Sequence, residues 1–421
     1  MGLNLALFFT FVQLTKFHEL LTMTLHVNIF LLYIIGVPSY MLLIAAGGLQ
    51  RTWRSPQSRY WVGMALWMGV SVPFSAWIMM SLATFRGYIQ TEIVGLFMVA
   101  GFVVTWREVE RLMTVLALSA VVNIVAGRLF QQDVGDRFAL SSGTLSDPND
   151  FAAVLILLLP FLLLIVITPG RNVIVKVLSA GFIVAGLYLV LSTGSRGGSV
   201  ALMAGLAYAL WRVNVMQKMV AITVLAVLGV GLFAVLPYST RERLATTFSD
   251  SAATDVMTRK TAIGSKEARA YLLRRSIEAA LTHPIVGVGL EQFQNYEGVT
   301  ARALGQRGNW HETHNTYTQI ASEAGIPGFI FLFGGIISTV RLVRRTYRKA
   351  RQMPATPMNQ KIRRTCFAVM LSLLSFCTAA FFLSMAYRCY LPAMTGVAIA
   401  VARAAEREWQ LNPQAATANP V

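Results

Sequence analysis

The sequence predicts an all-α integral membrane protein of about twelve transmembrane helices, interrupted by one large polar loop. Three observations carry this. Hydrophobic residues make up 55% of the chain and charged residues 13%, about half of the roughly 25% charge of soluble domains, and mean hydropathy is +0.58. Apolar runs of about 15–22 residues recur, each able to cross a hydrocarbon core of roughly 30 Å. Apolar and polar residues do not alternate strictly, which favours helices over a β-barrel.

The spans read, in order, as 3–20, 28–49, 60–80, 87–105, 112–127, 151–168, 173–191, 199–210, 219–237, 326–341, 366–386 and 390–402. The first, eighth and last are short. Leu3–Phe11 is apolar, but no small-residue cleavage site follows it, so it reads as span rather than signal peptide. Basic residues then orient the set. Arg51, Arg54 and Arg59, then Arg107 and Arg111, Arg171 and Lys176, Arg212 and Lys218, and the dense run from Arg341 to Arg364 all fall on one side. The positive-inside rule makes that side cytoplasmic, and both termini with it. The organisation reads as N-terminal helices over 1–127, central helices over 128–237, a large loop domain over 238–325, C-terminal helices over 326–410 and a disordered Asn/Pro/Ala-rich tail over 411–421. Part of the net charge of +17 is topogenic; the rest needs another explanation in the large loop, whose length exempts it from that rule. Cys366, Cys377 and Cys389 are too dispersed for a metal site and read as small apolar packing residues.

The side opposite the basic loops carries the chemistry-bearing residues. Trp310-His311-Glu312-Thr313-His314-Asn315 places two of the five histidines three apart at the end of the polar loop, with Tyr317, Glu323 and Gly325 following. Histidines there suit proton transfer, and on a helix His311 and His314 would share a face. The plain reading is a solvated loop with Asn315 or Thr316 capping the next helix. In Ser195-Arg196-Gly197-Gly198, an arginine between small residues can offer an anion its guanidinium and nearby backbone together; the plain reading is a snorkelling arginine. Residues 266–281 read as a basic helix ended by His283-Pro284. Its Arg269, Arg274 and Arg275 do not share one face, so one or two can take a lipid-borne phosphate, against the alternative of a helix lying on the membrane. Gly287-Val288-Gly289 allows a close backbone turn and is weak evidence of nucleotide binding. Arg137 precedes Asp147-Pro148-Asn149-Asp150, where Asn149 or Asp150 makes a helix cap, and it can join Arg196 at a phosphate. No Asp-x-Asp pair stands on this side, so no divalent metal is expected at a diphosphate.

Taken in order, these segments resemble the O-antigen ligase and polymerase superfamily of bacterial envelope proteins, over roughly residues 130–400. The motifs that carry the resemblance are Arg137…Asp147-Pro148-Asn149-Asp150-Phe151-Ala152; Ser192-Thr193-Gly194-Ser195-Arg196-Gly197; Arg269…His283-Pro284-Ile285-Val286-Gly287-Val288-Gly289…Phe293; and His314-Asn315-Thr316-Tyr317…Glu323-Ala324-Gly325-Ile326-Pro327-Gly328. The resemblance implies a type C glycosyltransferase fold in the bacterial inner membrane. It further implies transfer of a glycan from undecaprenyl diphosphate to a periplasmic acceptor, either lipid A core or growing polysaccharide. The family's essential histidine falls on His314 and its arginines on Arg196 and Arg269, with Arg137 and Arg274 looser matches. Arg275, His311, Asn315, Tyr317 and Glu323 complete the expected substrate-binding set. The stretch Tyr271–Arg275 lacks the tryptophan often found there, which blurs the branch of the superfamily. In the implied chemistry, arginines hold the diphosphate and His314 accepts the acceptor's proton, with inversion at the anomeric carbon and no metal, cofactor or nucleic acid. Glu323 either orients the histidine or, more naturally, caps the start of the span that follows. The alternatives are a repeat-unit polymerase and, from another class, a flippase. A flippase would place charges in mid-membrane or show inverted repeats; most candidates lie outside the spans and no internal repeat is evident.

Overall fold

The computed structural model describes residues 1–134, 137–141, 143–246 and 256–411. The tail expected to be disordered lies, from residue 412, outside them. Every stretch read as a span falls on helix, but several are broken. The first becomes α1 (Gly2–Thr15) and α2 (Phe17–Leu25), parted at Lys16, whose φ is 51°. The second becomes α3 (Leu31–Ala45) and α4 (Gly48–Trp53), parted at Gly47 with φ 66°. The third covers most of α5 (Pro56–Ser71) and only the start of α6 (Ile78–Gly87), and the fourth is divided between a π-helical turn at Tyr88–Glu92 and α7 (Val94–Phe102). Left-handed residues and π turns interrupt the hydrogen-bond ladder without interrupting hydropathy, so composition alone does not reveal them.

The middle of the chain holds α8 (Trp106–Leu129), α9 (Pro148–Ile167), α10 (Val173–Ser192), α11 (Arg196–Trp211) and α12 (Val215–Val235). Between α8 and α9, where a plain loop was expected, β1 (Gln131–Val134) pairs antiparallel with β2 (Arg137–Leu140). The polar segment is mostly helical: α13 (Tyr238–Ala245), α14 (Val256–Thr282), α15 (Phe293–Ala303) and α16 (Thr316–Glu323). The chain continues with α17 (Gly325–Gln352), α18 (Pro357–Ala379) and α19 (Tyr390–Leu411). Among the described residues six helices are long and apolar enough to cross a membrane: α8, α9, α10, α12, α17 and α18 with its 3-10 extension to Phe382.

Contacts divide the chain into two units. The first comprises Met1–Leu116, Ala268–Met370 and the segment from Ala380; the second comprises Ala117–Glu267 and Leu371–Ala379. In the first, Phe9 and Val12 of α1 pack on Ile35 of α3 and on Val94 and Met98 of α7. Its centre joins α5, α17 and α19: the Trp61 indole N–H donates to Thr395 Oγ1 at 2.8 Å, and Thr395 pairs with Thr339 at 2.9 Å. Interhelical hydrogen bonds in membranes average only about 0.6 kcal/mol, so these set register more than stability. Gly396 lets α19 meet α7, since a Cβ there would stand 2.9 Å from the Leu96 carbonyl oxygen. In the second unit α9 is enclosed by α10, α11 and β2, with Phe138 against Phe151 at 5.5 Å. The side chains of α12 bury against nothing.

Candidate functional site

In the second unit candidate residues gather at the turn between α10 and α11. Ser195 caps α11, its hydroxyl accepting from the Gly198 N–H at 3.1 Å, which makes Arg196 the first helical residue. Gly194 holds φ 58°, and the Arg243 side chain lies where its Cβ would be. Two further arginines converge on the same turn. Arg137 donates through Nε to the Thr193 carbonyl at 2.9 Å and through Nη2 to Asn149 Oδ1 at 2.9 Å. Arg243 donates through Nε to the Gly194 carbonyl at 3.2 Å. The expected meeting of Arg137 with the Arg196 turn is therefore present, and Arg243 joins it. No local pattern marks Arg243, because its contact lies 49 residues upstream. The expected cap at Asn149 or Asp150 is corrected to Asp147, whose carboxylate accepts from the N–H groups of both, with Pro148 in the first turn. Proline at that position loses no helical hydrogen bond, which frees the Asn149 side chain for Arg137.

In the first unit the histidines lie in the loop before α16, as the plain reading of the sequence has it, and not on a helix face. Asn315, extended at φ −155°, caps α16 by accepting from the N–H groups of Tyr317 and Thr318. His314 just before it has φ 49°, a left-handed backbone that costs a non-glycine residue on the order of 1–3 kcal/mol. The turn is held by the segment after α18. The His314 N–H donates to Ser384 Oγ at 3.0 Å, and Thr316 Oγ1 donates to the Leu383 carbonyl at 2.7 Å while accepting from the Met385 N–H at 3.1 Å. His311 is exposed and His314 half-buried, with ring centroids 6.3 Å apart. The Tyr317 ring rests on Phe381 at 4.5 Å.

Two buried glutamates set the approach to this loop. Glu297 of α15, fully buried, accepts from the Asn309 and Trp310 N–H groups, each at 2.9 Å, and from the Tyr271 hydroxyl at 3.0 Å. It ties α14, the helix of Arg269, to the loop segment that leads to His311. Glu323 does not cap the following helix, as its place in sequence suggests. It ends α16 and reaches back to accept from the N–H groups of Glu291 at 3.0 Å and Phe293 at 3.3 Å, at the start of α15. Burial, and then the neighbouring Glu291 charge, push its carboxyl up to about 8.

That reach depends on a clasp. The Val288 N–H donates to the Ser322 carbonyl at 2.9 Å, Gly289 to Glu323 at 3.1 Å, and Ile326 to Pro284 at 2.8 Å. Gly287 and Gly325 both hold φ 72°, and a Cβ on either would collide with the opposite backbone. The Gly-Val-Gly run is thus a docking strip for the end of α16, and the nucleotide reading falls away.

On α14, Arg274 is exposed and Arg275 half-buried. Arg275 Nη1 pairs with Glu278 at 2.6 Å, while its Nε and Nη2 are buried with no hydrogen-bond partner among the described residues. Arg269 is half-buried on the same helix. Among the described residues no group of three or more His, Cys, Asp or Glu side chains could hold a metal ion.

A family model described as O-Antigen ligase matches residues 180–333. The matched segment includes Arg196, Arg243, Arg269, His314 and Glu323, and stops short of Arg137. No curated protein matches the chain. The match runs from within α10 to the first turns of α17, so this part of the chain is similar to the O-antigen ligase family.

Proposed function

We propose that the protein transfers a glycan from undecaprenyl diphosphate to an acceptor hydroxyl of lipid A core or growing polysaccharide at the periplasmic face of the inner membrane, with both termini cytoplasmic. Arg196 and Arg269 bind the diphosphate and stabilise the charge that develops as it leaves, with Arg137, Arg274 and Arg275 supporting. His314 takes the proton from the attacking hydroxyl, and direct displacement inverts the anomeric centre. His311, Asn315, Tyr317 and Glu323 shape the loop in which this happens. The observation that carries the reading is His314 itself: a half-buried histidine in a left-handed backbone, held by the Ser384 hydroxyl, inside the matched segment. Strained backbone that its surroundings over-determine is a mark of functional positions.

The test uses purified protein, lipid-linked glycan and lipid A core in detergent with excess EDTA. Transfer should proceed, and His314→Ala should lower it by about 10²–10⁴-fold, the usual contribution of a general base, with the protein still folded. His311→Ala should be much milder. Activity that survives His314→Ala, or that requires added Mg²⁺ or Mn²⁺, overturns the mechanism.

A further inference from the structure

The first unit contains a cavity that the mechanism above does not use. Its volume is about 470 Å³, within the range of roughly 300–1,000 Å³ typical of small-molecule sites. Glu92, Glu291, Glu312 and Glu323 line it, with Arg388 as the lining cation. Two of these carboxylates are committed to the fold: Glu92 accepts from the Cys389 N–H at 2.7 Å, and Glu323 holds the start of α15. Glu291 is exposed and accepts from Thr84 Oγ1 at 3.1 Å.

A second feature points to a ligand. Tyr387 also lines the cavity and is 4% exposed. Its hydroxyl lies close to Glu323 but makes no well-formed hydrogen bond. A buried hydroxyl left without a partner is costly, and a ligand hydroxyl entering the cavity supplies one. The amides of Gln292 and Gln294 on the same wall each add a donor and an acceptor. A wall of carboxylate acceptors, amides and a tyrosine suits a molecule that is mostly hydroxyl groups. Even with Glu323 protonated, Glu92, Glu291 and Glu312 outnumber the Arg388 cation on the wall, a balance that repels a ligand carrying a carboxylate.

We propose that this cavity binds a sugar residue of the transferred glycan or its acceptor, neutral or amino-substituted, and turns away acidic sugars. The proposal rests on the glycosyltransferase reading for the source of the sugar, yet binding can be measured apart from transfer. The experiment is saturation-transfer NMR on the full chain in detergent, with the methyl glycosides of glucose, glucosamine and glucuronic acid as probes. The glucose and glucosamine probes should bind and compete, and the glucuronic acid probe should bind roughly tenfold more weakly or not at all. Tyr387→Phe should weaken the glucose probe by roughly tenfold, the scale of one lost hydrogen bond. Glu291→Gln, on the exposed rim, should narrow the discrimination against glucuronic acid. Should Tyr387→Phe fail to fold, Gln294→Ala takes its place with the same expected loss. Equal binding of all three probes, or glucose binding unchanged in the folded variant, overturns the proposal. Sugar binding in a protein that transfers nothing would sink the catalytic reading and leave this one standing.

Discussion

At the turn between α10 and α11, arginine side chains donate to backbone carbonyls: Arg137 to Thr193 and Arg243 to Gly194. At the loop before α16 the polarity is reversed, and the carboxylates of Glu297 and Glu323 accept from backbone N–H groups. Carbonyl acceptors carry no formal charge, so these two contacts order the arginine side chains through neutral backbone groups. The glutamates do the opposite task. They satisfy backbone donors of an irregular segment and so fix the histidine loop without needing a cation beside it. One region orders side-chain donors on backbone carbonyls, the other orders backbone donors on side-chain carboxylates.

Substitutions can break that contrast, and the largest effect belongs to the arginine turn. Arg196→Ala should lower transfer by about 10²–10³-fold, on the scale of a lost oxyanion donor. Lysine should rescue it only in part, because an ammonium lacks the bidentate fork. Arg243→Ala should cost less, since Arg243 supports the turn from behind. Transfer assays at matched protein levels check the order, and an Arg243 loss equal to that of Arg196 erases the distinction. On the other side of the comparison, Glu297→Ala strands the Asn309 and Trp310 N–H groups and the Tyr271 hydroxyl. Each buried donor left unsatisfied costs about 1–3 kcal/mol, so thermal unfolding in detergent should fall clearly, and Glu297→Gln should fall less. Gly325→Ala forces a Cβ into the Ile285 carbonyl at φ 72°; a destabilisation of about 1–3 kcal/mol is expected, measurable in the same unfolding assay.

The last effect is a pH dependence. The Glu323 carboxyl is raised from 4.5 to about 8 in the folded protein. A raised acid binds its proton more tightly when folded, so its stabilising contribution is complete below about pH 4.5 and fades as pH rises through about 8. Glu323→Gln cannot titrate. The melting temperature of the native protein relative to this variant should therefore decline across that window, and a difference that stays flat or climbs with pH removes Glu323 as a protonated hub.

Much of this was legible where the signal is local. The cap at Asn315 follows from residue type beside an apolar run, and the end of α14 follows from His283-Pro284. The breaks were hidden. Lys16 and Gly47 interrupt helices inside stretches whose hydropathy never changes, so a continuous apolar run concealed two segments each time. Glu323 shows the same limit in the site. Its neighbour in sequence is the following helix, which made it look like a cap there, but its carboxylate reaches the Phe293 N–H, 30 residues back. Glu297 and Arg243 left no trace at all, for their work depends on backbone groups that only tertiary structure brings close.

The clasp between Pro284–Gly289 and Ser322–Ile326 also bears on what evolution and engineering can do here. Both ends of the intervening excursion are pinned to each other, while its tip at residues 302–307 is exposed and turns at Gly305, φ 71°. Lengthening a loop whose ends are already fixed adds only about 0.6 kcal/mol of closure entropy per doubling. The tip can therefore accept inserted sequence, an epitope or a new acceptor-reading strand, while the anchoring of the histidine stays independent of it. Change at the tip and constancy at the histidine can be inherited separately within one short stretch of chain.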